Sequence, residues 1–98
     1  MQKVKITPDV FFAHDDQMNR LKIEVELPGV AKKDIALDLR RDSFCVSAPR
    51  GEDTVYAGCY ILAHQVMPEK AEAKYDSGLL RIYAPVKDRE EEVIVHIQ

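Results

Sequence analysis

From Arg20 to Leu27 the side chains alternate without a break: Leu21, Ile23, Val25 and Leu27 take one parity, and Arg20, Lys22, Glu24 and Glu26 take the other. Period two is the spacing of a strand with one face on a core and the other in water. Fully burying each of the four aliphatic side chains contributes about 1.5–3 kcal/mol, and a slip of one residue would turn the whole set to solvent. A chain with this segment must build a sheet around it, in that register.

The remaining patterns agree. Ala73 and Tyr75, then Leu80, Ile82 and Ala84, form two more alternating runs joined through Asp76-Ser77-Gly78, where glycine accepts positive φ without steric cost, so a hairpin is predicted. Ile35, Leu37 and Leu39, followed by Phe44, Val46 and Ala48, predict a second hairpin closed by Pro49. Val4 and Ile6 give a short edge strand ahead of Pro8, and Asp9 to Ala13 is a short apolar run ahead of turn residues His14 to Gln17. Leu27-Pro28-Gly29-Val30 reads as a type II turn. Arg50 to Gly58 reads as a short loop with glycine near each end. Cys59 to Val66, apolar on both parities, reads as a strand covered on both sides, and Met67 to Lys70 as a turn. No helix of ordinary length is supported, and the expected architecture is an all-β antiparallel sandwich of seven to nine strands, immunoglobulin-like.

At 98 residues one modest core is expected, so pairing with a partner could matter to stability. The 14 basic and 17 acidic side chains are interspersed, with a net charge of −3, and leave no basic patch for nucleic acid. No apolar run reaches the roughly 20 residues of a membrane-spanning helix and no signal core follows Met1, which together predict a soluble, cytoplasmic protein. Cys45 and Cys59 lie inside strand patterns and not in a Cys-x-x-Cys motif. Two free, half-buried thiols are the favoured reading, and a disulfide between neighbouring strands is the alternative in an oxidising compartment.

Three segments resemble the alpha-crystallin domain of small heat-shock proteins: Ala73-x-x-x-Ser77-Gly78-x-Leu80, Leu27-Pro28-Gly29 with Lys32-Lys33-Asp34-Ile35 behind it, and Pro8-Asp9-Val10-Phe11-Phe12. The resemblance spans residues 8–86, preceded by a short segment at 1–7 and followed by a charged linker and tail at 87–98. It implies a groove between the strands at 35–40 and 71–76, with Leu37, Leu39, Ala71 and Ala73 as candidate lining. In such proteins an Ile/Val-x-Ile/Val tail motif inserts into that groove on another subunit. Val93, Val95 and Ile97 supply two overlapping versions of it, though the same residues also suit a last strand of their own sheet. Many relatives dimerise through a long loop strand. The segment at 50–58 is too short for that, which leaves an edge in the region of Tyr56, Cys59, Ile61 and Ala63 as the candidate dimer contact.

The chain has no phosphate-binding glycine loop, no serine or cysteine in a nucleophile motif, and three dispersed histidines (His14, His64, His96), so no catalytic residues, metal or cofactor are expected. The resemblance implies an ATP-independent holdase chaperone that binds itself, as a dimer or small oligomer, and partly unfolded client proteins. The missing N-terminal arm and short loop suit the alternative, a CS-type co-chaperone or adaptor docking on one defined partner. A third reading takes the 98 residues as part of a longer protein.

Overall fold

The alternating segment is strand β3 (Arg20–Glu26), and its register is the one its side chains require. Leu21, Ile23 and Val25 face inward opposite Ala84, Ile82 and Leu80 of strand β8 (Leu79–Pro85). In the computed structural model, which describes residues 3–87 and 95–98, eight strands form two four-stranded sheets. The others are β1 (Val4–Ile6), β2 (Val10–Asp15), β4 (Ala36–Leu39), β5 (Ser43–Arg50), β6 (Thr54–Ile61) and β7 (Glu72–Asp76). One sheet runs β1-β6-β5-β4 and the other β2-β3-β8-β7. Every pairing is antiparallel except β1 with β6. The expected sandwich is therefore present, with two short 3-10 turns at Lys32–Asp34 and Pro68–Lys70 as its helical content among the described residues. β1 lies ahead of the boundary drawn at residue 8, yet it belongs to a sheet.

Between the layers Ile23, Val25, Leu27, Phe44, Ala48, Val66, Ile82 and Ala84 are sealed from solvent. The two longest resembling segments pack on each other at one end of this core. Ser77 and Gly78, at φ 51° and 82°, form the two-residue turn between β7 and β8, the geometry of a type I′ hairpin. Gly78 lies so close to Pro28 that an added Cβ would stand 3.2 Å from the Pro28 Cα, and Leu27 donates its backbone N–H to the Gly78 carbonyl at 2.7 Å. The Tyr75 hydroxyl shares its one proton between the carbonyls of Leu27 (2.7 Å) and Val30 (2.9 Å). The Pro28-Gly29 turn is thereby tied to the β7–β8 hairpin.

Cys59 to Val66 is not the single covered strand expected: β6 stops at Ile61, whose side chain lies in solvent, the chain turns through residues 62–65, and Val66 makes only an isolated bridge to Val86. Two further expectations are corrected. Residues 50–58 are not a loop: β5 runs through Arg50, the turn is Gly51 to Asp53, and β6 starts at Thr54. Gly58 sits inside β6 because the Tyr60 ring folds over it, so a Cβ there would meet the Tyr60 hydroxyl at 2.6 Å. Pro49 stays in the ladder because of its pairing class. Cys45 and Cys59 face each other at a Cα separation of 4.1 Å, the close, non-hydrogen-bonded class, and strict alternation puts Pro49↔Val55 in the same class, where no N–H is needed toward β6.

That facing pair is the second correction: Cys45 and Cys59 are a disulfide, and no free cysteine remains. Once Arg50 is opposite Thr54, stepping equally outward along the two strands brings Cys45 opposite Cys59. The cross-link spans a sequence separation of 14, and closing a loop near that length restricts the unfolded chain by about 3 kcal/mol on the chain-entropy account.

At the β2–β3 end, the Asp15 carboxylate accepts the Met18 backbone N–H at 3.3 Å and pairs with Arg20 at 3.1 Å. The Met18 N–H, helped by Arg20, holds its pKa below the ordinary 3.8 against some desolvation. A carboxyl whose folded pKa is depressed stabilises the fold above its unfolded value and loses that contribution as pH falls through the folded one. Asp15→Asn should therefore flatten the acid limb of the stability curve just below pH 3.8. An NMR titration giving Asp15 an ordinary midpoint would refute this.

Candidate functional site

Phe12 of β2 packs edge-on against Phe44 of β5 at 6.2 Å, and the Tyr60 hydroxyl of β6 donates to the Pro8 carbonyl at 3.3 Å. Burial and the charge of Asp9 push the Tyr60 pKa up, which keeps that hydroxyl protonated as a donor. These contacts set β2 over the β5–β6 half of the opposite sheet, so β4 and β7 are the outermost strands along the other side of the sandwich.

The register decides which way the four candidate groove residues point. Leu37 is opposite Val46 and Leu39 opposite Phe44, both core residues, and Ala73 is opposite Ile82. All three therefore face between the layers. Leu37, Leu39 and Ala71 are half-buried and packed on the core cluster, whereas Ala73 faces inward and is exposed. An inward residue that remains exposed means that the space between β4 and β7 is not covered there. Leu37, Leu39 and Ala71 thus form a margin of the core, and Ala73 is an exposed inward residue on the outermost strand β7, a distinction that alternation could not make.

The candidate dimer residues separate. Tyr56 is buried and opposite Ile6 of β1, so it belongs to the core, and Ala63 lies past the end of β6. Cys59 and Ile61 remain on a free edge: β1 reaches only as far as Tyr56, and the stretch of β6 beyond it has β5 on one side and no strand on the other among the described residues. Both belong to the close-paired class toward β5, so their backbone N–H and C=O groups point to the open side. Ile61 is 87% exposed.

Of the tail, Val93 falls outside the described residues. Val95 and Ile97 are exposed at 77% and 98%, and none of residues 95–98 is in a strand. The histidines hold one arrangement that sequence reasoning missed. His14 and His64, far apart along the chain, bring their rings to 5.3 Å, and His14 Nδ1 is 2.6 Å from Asp16 Oδ1. The signal was the inward parity of His14 on β2, masked by reading it as turn. Among the described residues no group of three His, Cys, Asp or Glu side chains is placed to hold a metal, and no helix is long and apolar enough to cross a membrane.

This eight-stranded, two-sheet sandwich matches the fold of solved small heat-shock proteins, the alpha-crystallin β-sandwich. Heat shock protein 16.0 from Schizosaccharomyces pombe superposes with a TM-score of 0.75 at 15% identity, over 95% of this chain and 99% of that one. HSP18.5 from E. histolytica gives 0.76 at 15% identity, over 94% and 99%. A small heat-shock protein from Xylella fastidiosa gives 0.70 at 13% identity, over 95% and 97%. No family model and no curated protein matches the chain in sequence.

Proposed function

We propose that this protein is an ATP-independent holdase that binds partly unfolded chains through exposed apolar surface and keeps them from aggregating. The carrying observation is Ala73, inward yet exposed on an outermost strand of a fold shared with small heat-shock proteins, which supports reading it with Leu37, Leu39 and Ala71 as the wall of an apolar cleft. Such a cleft suits extended apolar segments, and mass action alone suffices, since sequestering a segment competes with its self-association. The Val95-His96-Ile97 tail is a candidate occupant from another copy, and the free edge at Cys59 and Ile61 a candidate strand-pairing contact. Self-association as a dimer or small oligomer follows from both.

The test is suppression of light scattering by a heat-labile client enzyme, with Ala73→Glu as the probe. Because Ala73 is exposed, the variant should keep its melting temperature while charge at the cleft mouth lowers protection several-fold. Full protection by Ala73→Glu would remove the cleft from the mechanism. In parallel, stopping the chain after Val86 should lower the solution mass if the tail latches subunits together. The tight turn at Gly51 to Asp53, which provides no crossing strand, favours a second reading as an adaptor for one defined partner. An intact monomer without any client protection would support that one.

A further inference from the structure

The Cys45–Cys59 disulfide lies on the outer face of the β1-β6-β5-β4 sheet, at the floor of an open trough of about 530 Å³. The neighbouring outward pair, Ser47 and Ala57, is small and leaves the sulfurs uncovered, while Lys5 and Asp38 stand at the rims. Cys59 is exposed and Cys45 half-buried. We propose that this pair is a thiol–disulfide exchange site for an anionic low-molecular-weight thiol, with the Cys59 Sγ as the atom attacked.

The selectivity follows from the direction of displacement. A thiolate attacks in line with the bond it breaks, from the side opposite the leaving sulfur. The bond joins Cys45 of β5 to Cys59 of β6. Cys59 is the exposed sulfur-bearing residue and lies toward the free side of β6, where no strand lies beyond Tyr56 among the described residues, with Lys5 of β1 in the same trough. Cys45 is half-buried and flanked by β4, where Asp38 sits directly opposite it, paired with Arg40 at 3.3 Å. Asp38 repels an incoming anion and Lys5 attracts it. In the step, the thiolate forms a bond to Cys59 Sγ, the S–S bond breaks, and Cys45 leaves as a thiolate. A second thiolate can then attack the sulfur of the bound thiol, giving the small-molecule disulfide and a Cys59 thiolate. The disulfide has by then taken up two electrons from two thiols.

The experiment uses the intact folded protein, dilute, with reduced glutathione as probe, quenched early with N-ethylmaleimide and mapped by mass spectrometry. Glutathione is expected on Cys59 and maleimide on Cys45 in at least about nine of ten singly modified molecules. Lys5→Gln should slow the reaction about twofold to threefold at low ionic strength and slow that with 2-mercaptoethanol less, because the latter's attacking thiolate carries less negative charge. Glutathione on Cys45, or evenly on both, overturns the assignment. So does a folded protein that resists glutathione yet is reduced once denatured, or one with two free thiols at the outset.

Discussion

Gly78→Val is expected to lower unfolding free energy by about 2–4 kcal/mol, since a β-branched residue is forced into the left-handed region and its Cβ is driven against backbone. The φ of 82° would be strained in any L residue, and the nearest atom to the added Cβ is the Pro28 Cα, which cannot rotate away. The damage should extend to the hydrogen bond from Leu27 to the Gly78 carbonyl. For a domain of this size each kcal/mol is about 4–8 °C in melting temperature, so the loss is easily read in a thermal melt. Ser77→Gly is the control: Ser77 already holds φ 51°, so removing its Cβ relieves strain and should leave the melt unchanged or raised. Equal melting of wild type and the Gly78→Val variant would show that the hairpin does not press on the Pro28 turn.

The second large effect is expected from Ile82→Ala. Ile82 is fully buried in the central row between Ile23 of β3 and Ala73 of β7, so its truncation leaves a cavity in the middle of the sandwich. Losses at such sites run to about 2–5 kcal/mol, and guanidinium unfolding should show the midpoint falling with an unchanged slope. Ala73→Val, on the same row but at the uncovered side, should cost far less because its environment can yield. A loss below about 1 kcal/mol at Ile82 would mean that the centre of the sandwich collapses around the vacancy.

What the sequence made legible divides along one line. Segments whose meaning is local were readable: the β3 alternation, the turn at Pro28-Gly29, and the Ser77-Gly78 hairpin all appear where expected. So was the likeness in fold, since its motifs lie in those segments. What depended on pairing between strands was hidden. Gly58 looks like a loop boundary until Tyr60 is seen folded over it, and that misreading concealed the hairpin centre that brings Cys45 opposite Cys59. His14 and His64 meet only through the stacking of two sheets. Leu37, Leu39, Ala71 and Ala73 could be named as candidates, but which of them face the core was not readable, and the exposure of inward-facing Ala73 follows from β7 being outermost, a fact of topology.

The parallel pairing of β1 with β6 has a consequence for the order in which the molecule closes. Val4 to Ile6 must wait for Thr54 to Tyr56, whereas the β5–β6 hairpin is local and can form without them. Until this three-residue strand docks, β6 is bare along its whole outer side, and afterwards only the stretch beyond Tyr56 is left. β1 is therefore a stopper whose seating sets how long an adhesive border a newly made chain shows its neighbours, and weak seating would favour promiscuous pairing over a defined assembly.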